Sequence, residues 1–133
     1  MFQQGTSDAY AQILTQGTTR GFYTSITGGN RKGDYYDGSD RYFTSTLTNG
    51  NNYILSIVAS GSGMAFYKDG AADGTATFTV TAPTYNAIGA SGSSERFGGL
   101  ISEIRVWPSA LSSTNRQAAE DALGTLYGIT VTH

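Results

Sequence analysis

Three carboxylates fall within seven residues in Asp34-Tyr35-Tyr36-Asp37-Gly38-Ser39-Asp40. Read as a glycine-bearing loop, the stretch can turn Asp34, Asp37 and Asp40 toward one point, and Ca2+ takes its oxygen ligands from flexible loops of that kind. The spacing is not that of an EF-hand, and the bidentate Glu that closes such a loop is missing. Arg31, Lys32 and Arg41 flank the acids and can neutralise them without a metal. Calcium is the one cofactor the segment suggests, and no other cofactor is expected.

The same segment is rich in aromatic rings. Tyr35, Tyr36, Tyr42 and Phe43 lie within nine residues, and Phe22 and Tyr23 sit on a neighbouring predicted hairpin. Sugars present an apolar face edged with hydroxyls, so a glycan site combines aromatic platforms with polar partners. On this ground Tyr35, Tyr36, Asp37, Asp40 and Tyr42 are the candidate ligand contacts. Adjacent residues of a strand point to opposite faces, so about half of these rings should belong to the core.

The rest of the chain offers little reactive chemistry. Its single His, His133, stands at the end of the sequence, where order is commonly lost, and it is expected to be a bystander; there is no Cys, so neither a Ser-His-Asp nor a Cys-His system is foreseen. Glu103 is the one acid in the middle of a predicted strand and should pair with Arg105 or Arg96. Glu120-Asp121 should lie on the solvated face of a helix. A formal net charge of -2 gives no general electrostatic reason to bind nucleic acid. No apolar run approaches the roughly 20 residues that span a bilayer, so membrane insertion is not expected, and the first residues lack the pattern of a signal peptide.

The elements that must position these residues read as all-β. The chain of 133 residues holds 18 Gly and only 14% charged residues, a profile of short strands joined by tight turns. Period-two alternation predicts strands at about 9–15, 21–27, 42–46, 53–59, 64–68, 77–81, 86–90 and 100–107. Between them, Gly28-Gly29-Asn30, Asp37-Gly38, Asn49-Gly50, Asp69-Gly70 and Asp73-Gly74 predict hairpin turns. The near-continuous apolar run from Tyr53 to Ala59 should form a central strand covered on both faces. Leu100, Ile104 and Val106 should supply another inner face, with Ile88 and Phe66 opposite, and Trp107 should anchor the packing under a helix. That helix is predicted after the N-cap Ser112, with Ala119, Leu123, Leu126 and Tyr127 on its apolar stripe, Gly128 at its left-handed end and Ile129 folding back.

From Gly99 to Ile129 the order of Gly, Ile101, Glu103, Val106, Trp107, Ala110-Leu111-Ser112, a polar run and Tyr127-Gly128-Ile129 resembles the C-terminal end of the concanavalin A-like, laminin-G-like jelly rolls. Upstream, Met64-Ala-Phe-Tyr-Lys-Asp-Gly70 is similar to a hairpin of that family, with Asp69 where Asn is common, and Ala87-Ile88-Gly89 is similar to one of its strands. The resemblance runs over about residues 40 to 130. It implies an antiparallel two-sheet jelly-roll sandwich with one short C-terminal α-helix, expected as one domain over residues 1–133 that lacks the usual first strands. The family also includes glucanases, but retaining hydrolysis needs two carboxyl groups about 5 to 5.5 Å apart, and the closely spaced Glu, Asp, Glu set that usually supplies them is missing, so no enzyme is expected. The resemblance implies a non-catalytic recognition or surface module that binds a glycan or a protein. The alternative is a structural assembly protein such as a viral particle decoration, fibre or surface component. An uncovered sheet edge would favour a homo-oligomer or larger assembly, and either role implies an extracellular or particle surface location, on a virion or a bacterial cell.

Overall fold

The computed structural model describes residues 2–3, 9–17, 19–79, 81, 84–90 and 95–133. Its elements in chain order are β1 (Phe2–Gln3), β2 (Tyr10–Gln16), β3 (Arg20–Thr27), β4 (Asn30–Tyr36), β5 (Asp40–Tyr42), β6 (Asn52–Tyr53), β7 (Leu55–Ser60), β8 (Gly63–Lys68), β9 (Ala71–Thr77), β10 (Ala87–Ile88), β11 (Leu100–Ile101) and α1 (Ser113–Tyr127). One layer is a five-stranded antiparallel sheet in the order β10-β2-β3-β4-β5. Facing it are the β7-β8-β9 sheet and the short β11-β1-β6 ladder, both antiparallel. This is the expected jelly-roll sandwich, mostly β with one short C-terminal helix.

Two apolar clusters fill the space between the layers. Ile13, Leu47 and Tyr53 gather Leu14, Phe97, Ile101 and Ile104 around them. Tyr35, Phe43, Met64 and Phe66 form the other, with Ile57, Ala59 and Phe78 at its margin. Phe22 and Leu55 touch both and make the core continuous. Phe43 is the centre of the second cluster: it stacks on Phe22 at 5.8 Å, meets Phe66 at 4.8 Å, and is 0% exposed. It lies so close to the β4 backbone that a Cβ on Gly33 would stand 2.7 Å from its ring. Only glycine leaves that space.

Turn chemistry sets the register. Gly28 and Gly29, at φ of 56 and 80, form the two-residue turn between β3 and β4 and pair Thr27 with Asn30 and Tyr23 with Asp34. Strand β4 corrects the expectation of a loop from Asp34 to Asp40: Asp34-Tyr35-Tyr36 is strand, and only Asp37-Gly38-Ser39 turns before β5. Its polar start, Asn30-Arg31-Lys32, hides the alternation that the hairpin imposes. The Asp69-Gly70 turn likewise starts β9 at Ala71, well before the expected 77–81.

Three core expectations are corrected. Strand β7 lies at the outer side of the β7-β8-β9 order, and Leu55 to Ala59 are half-buried; the buried part of that run is Tyr53-Ile54. Among the described residues, the expected strand 100–107 pairs only at Leu100-Ile101, opposite Gln3 and Phe2 of β1. Beyond it alternation is lost, and Ile101 and Ile104, three apart, reach the core while Leu100 and Val106 stay 63% and 61% exposed. Ile88 and Trp107 are also exposed, so Trp107 is no buried anchor.

The ends of α1 match their sequence signals. The Asn115 amide donates to the Ser112 hydroxyl at 3.3 Å, and Gly128 is left-handed at φ 66. Its buried face differs from the expected stripe: Arg116, Glu120, Leu123 and Gly124 point inward, whereas Leu126 is exposed. Arg116 lies 3.6 Å over the Tyr67 ring, donates to the Gly70 carbonyl at 3.3 Å, and pairs with Glu120. Glu120 is therefore a buried ion-pair member, not a solvated acid. The chain after α1 returns across this contact, with the Thr132 amide donating to the Asp69 carbonyl at 2.9 Å. His133 is held there, 3.0 Å from the Asp121 carboxylate. Among the described residues, no helix is long and apolar enough to cross a membrane.

Two stability predictions follow from this packing, both read by denaturant unfolding. Phe43→Ala should cost about 3 to 5 kcal/mol, and Ile104→Ala distinctly less, because Ile104 is only half-buried. Arg116→Met should cost about 3 to 5 kcal/mol by stranding the Glu120 charge, and adding Glu120→Leu should restore most of the loss.

Candidate functional site

Strand alternation divides the candidate residues between two faces of the five-stranded sheet. Across β2 to β5 the register aligns Gln12, Tyr23, Asp34 and Tyr42, and beside them Gly21, Tyr36 and Asp40. Tyr10 pairs with Ser25 on the same side. Tyr35, one residue from both Asp34 and Tyr36, turns the other way into the core, where it is 2% exposed and meets Phe78 at 6.0 Å. Of the five expected ligand contacts, Tyr35 is thus a core residue.

On the outward face, Tyr10, Tyr23, Tyr36, Asp40 and Glu95 line a cup of about 200 Å3. That is below the roughly 300 to 1,000 Å3 of a drug-sized pocket, so the cup has room for one ring or one small group. Tyr23 and Tyr36 form a corner, their ring centroids 6.1 Å apart and their planes at 75°. Tyr42 stands behind the cup and donates its hydroxyl to Asp40 Oδ2 at 2.8 Å. Asp37 is turned away to Arg41, 3.5 Å distant, whose guanidinium also lies 4.4 Å over the Phe78 ring. Tyr36 and Asp40 are therefore the expected residues that the structure brings together, with Tyr42 as their support.

Tyr10, Tyr23 and Glu95 were not foreseen. Tyr23 carried a signal, because the turn at Gly28-Gly29 places it opposite Asp34. Glu95 carried none. It enters from the segment after β10 and is fastened to β2 twice: the Gln12 amide donates to its carbonyl at 2.9 Å, and Gln12 Nε2 donates to its carboxylate at 2.7 Å. Thr15 in turn donates to Gln12 Oε1 at 2.7 Å, and Gln12 and Thr15 are both fully buried. Glu95 adopts φ 57, a left-handed backbone uncommon outside glycine, asparagine and aspartate.

The electrostatics of the cup are those of buried, crowded acids. Asp34 is 0% exposed and accepts from the Ser25 hydroxyl at 2.6 Å and from the Arg41 amide at 2.9 Å. Burial, with a smaller push from the neighbouring Asp40, outweighs those two donors and raises its carboxyl to about 7. Tyr23 is pushed up to about 12, first by burial and then by the charges of Glu95 and Asp34. Tyr42 is raised by burial and by its bond to Asp40. Among the described residues, two buried atoms here, the Tyr23 hydroxyl and Asp40 Oδ1, have no hydrogen-bond partner.

The expected cation site at Asp34, Asp37 and Asp40 does not assemble. Asp34 is sealed and bonded within the sheet, Asp37 faces Arg41, and only Asp40 reaches the cup. Among the described residues no group of three or more His, Cys, Asp or Glu side chains is placed to hold a metal. Glu103 has the structural role expected of it, bonded to Arg105 Nε at 2.6 Å and to the Tyr127 hydroxyl at 3.0 Å. A second hollow, of about 380 Å3, lies between the Asp69-Gly70 turn and the end of the chain. Its acids tie loops together: Asp69 accepts from the Ile54 amide at 2.8 Å, and Asp73 accepts from the amide and hydroxyl of Ser45.

No curated protein and no solved structure matches the chain. The family model described as the concanavalin A-like lectin/glucanases superfamily matches residues 2–115. That span starts upstream of the 40–130 stretch on which the resemblance rested, so it takes in β2 to β5 and the tyrosine cup with the core strands and the start of α1. With its sandwich, its capped C-terminal helix and a match over most of its length, the chain belongs to the concanavalin A-like lectin/glucanases superfamily.

Proposed function

We propose that the chain is a non-catalytic recognition module that binds carbohydrate in the cup of Tyr10, Tyr23, Tyr36, Asp40 and Glu95. One observation carries this reading: an aromatic-walled cup holds two buried polar atoms, Tyr23 OH and Asp40 Oδ1, that no described residue pairs. Each such atom costs about 1 to 3 kcal/mol, and a hydroxyl-rich ring stacked on tyrosine supplies the missing partners. Membership in a superfamily that includes lectins supports a binding role in general. A hydrolytic role is disfavoured because Asp34, the neighbouring carboxyl that keeps its proton close to neutral pH, is fully buried and outside the cup. Such a module would act at an extracellular or particle surface.

A second reading, assembly through the β11 segment, has one observation in its favour. Leu100, Val106 and Trp107 stay 63%, 61% and 44% exposed within eight residues. Light scattering that finds a closed oligomer, dispersed by Val106→Asp, would support it, and a monomer would remove it.

The carbohydrate reading separates two adjacent residues. On a glycan array followed by calorimetry with the best hit, Tyr36→Ala should fold and bind roughly tenfold more weakly. Tyr35→Ala should lose about 3 to 5 kcal/mol of stability, as a buried aromatic does. Unchanged binding by Tyr36→Ala would reject the cup. Asp34 gives a pH signature: its folded pKa of about 7 lies above the ordinary 3.8. The native state therefore holds a proton that the unfolded chain has released, and this contribution, complete in acid, is lost as pH climbs through about 7. The melting temperature should fall between about pH 4 and pH 7, and Asp34→Asn should flatten that part of the profile.

A further inference from the structure

We infer that the tyrosine cup selects a protonated amino sugar over the corresponding neutral sugar. The inference rests on the carbohydrate reading above and narrows it to one class of ligand. Among the described residues, the charged side chains that line the cup are two acids, Asp40 and Glu95, and no Lys or Arg lines it. The cations closest in register are elsewhere: Arg41 is committed to Asp37, to the Ser39 carbonyl at 2.7 Å and to the Phe78 ring, and Lys32, though aligned with Ser25, does not reach the lining.

Geometry and charge agree on the ligand. The faces of aromatic rings are electron-rich and attract a cation within about 6 Å, and Tyr23 and Tyr36 stand at 75° to each other as two walls of a corner, with Tyr10 also lining the cup. The unpaired atoms are a carboxylate oxygen, which can only accept, and a phenol oxygen, which can accept. A primary ammonium brings three N–H donors and a positive charge to one point, and so satisfies both oxygens while standing against the rings. An acetamido group in its place brings a single N–H and a carbonyl oxygen, which would have to approach two carboxylates. Glu95 is fixed for this task, because Gln12 binds both its backbone and its carboxylate and is itself held by Thr15.

The test is calorimetry with gluco- and galacto-configured amino tetrasaccharides and their fully N-acetylated counterparts, in mildly acidic buffer where the amine is charged. At least one amino tetrasaccharide should bind about tenfold or more tightly than its acetylated partner, and the gap should narrow as salt is added. In Asp40→Asn/Glu95→Gln, whose amide oxygens can still accept from Tyr42 and Gln12, the preference should disappear. Equal affinity for an amino sugar and its acetylated form, insensitive to salt, would overturn the inference and leave the carbohydrate reading standing. Failure of all four sugars to bind the wild-type chain would overturn the inference, and an empty glycan array would remove the carbohydrate reading with it. The salt series on the wild-type chain decides the matter even if the double variant does not fold.

Discussion

The parity of one hairpin governs this molecule. Side chains on a strand alternate, so the turn at Gly28-Gly29 decides at a stroke that Tyr35 enters the core and that Asp34 and Tyr36 face out. A slip of one residue would turn Lys32, Asp34 and Tyr36 toward the core. Phe43 secures the chosen register from the other side, since its ring occupies the space over Gly33 that any larger residue would fill. The core and the cup are thus two outcomes of the same alternation, and neither can be repositioned without the other.

Burying acids is costly, and this chain does so in three different ways. Asp34 accepts two hydrogen bonds and still holds a proton near neutral pH. Glu120 is neutralised by Arg116, whose guanidinium also covers the Tyr67 ring and caps the Gly70 carbonyl. Asp73 stitches the segment after β5 to β9 through Ser45. Asp34 ties adjacent strands, whereas Asp73 through Ser45 and Arg116 through Gly70 reach across the chain, so these polar contacts fix how the strands and the helix are joined while the apolar clusters supply most of the driving force for folding.

What could be read in the sequence follows from how local its causes are. The turns at Gly28-Gly29 and Asp69-Gly70, the Ser112 cap and the Gly128 stop act over a few residues and appear where expected, whereas the expected Asp73-Gly74 turn lies inside β9. The opposite orientations of Tyr35 and Tyr36 were likewise implied by alternation. Strand β4 was hidden because its polar start resembles a loop until β3 is laid beside it, and the inward face of α1 was hidden because Arg116 and Glu120 satisfy each other there. The strand after Leu100 was overread, because its described pairing is with β1, a partner remote in sequence. Glu95 lay beyond reach for the same reason: its place depends on Gln12, 83 positions away.

That long-range attachment divides the labour between two parts of the chain. Four residues of the cup belong to strands β2 to β5, whose opposite faces are bound into the core, whereas Glu95 is delivered by a connecting segment outside the strands. Substitutions among the tyrosines are constrained by neighbours on both sides of the sheet. Among the described residues, Glu95 is held by Gln12. Across the evolutionary history of such a sandwich, the connecting segment is where charge can be exchanged and ligand preference redirected while the inherited framework stays intact.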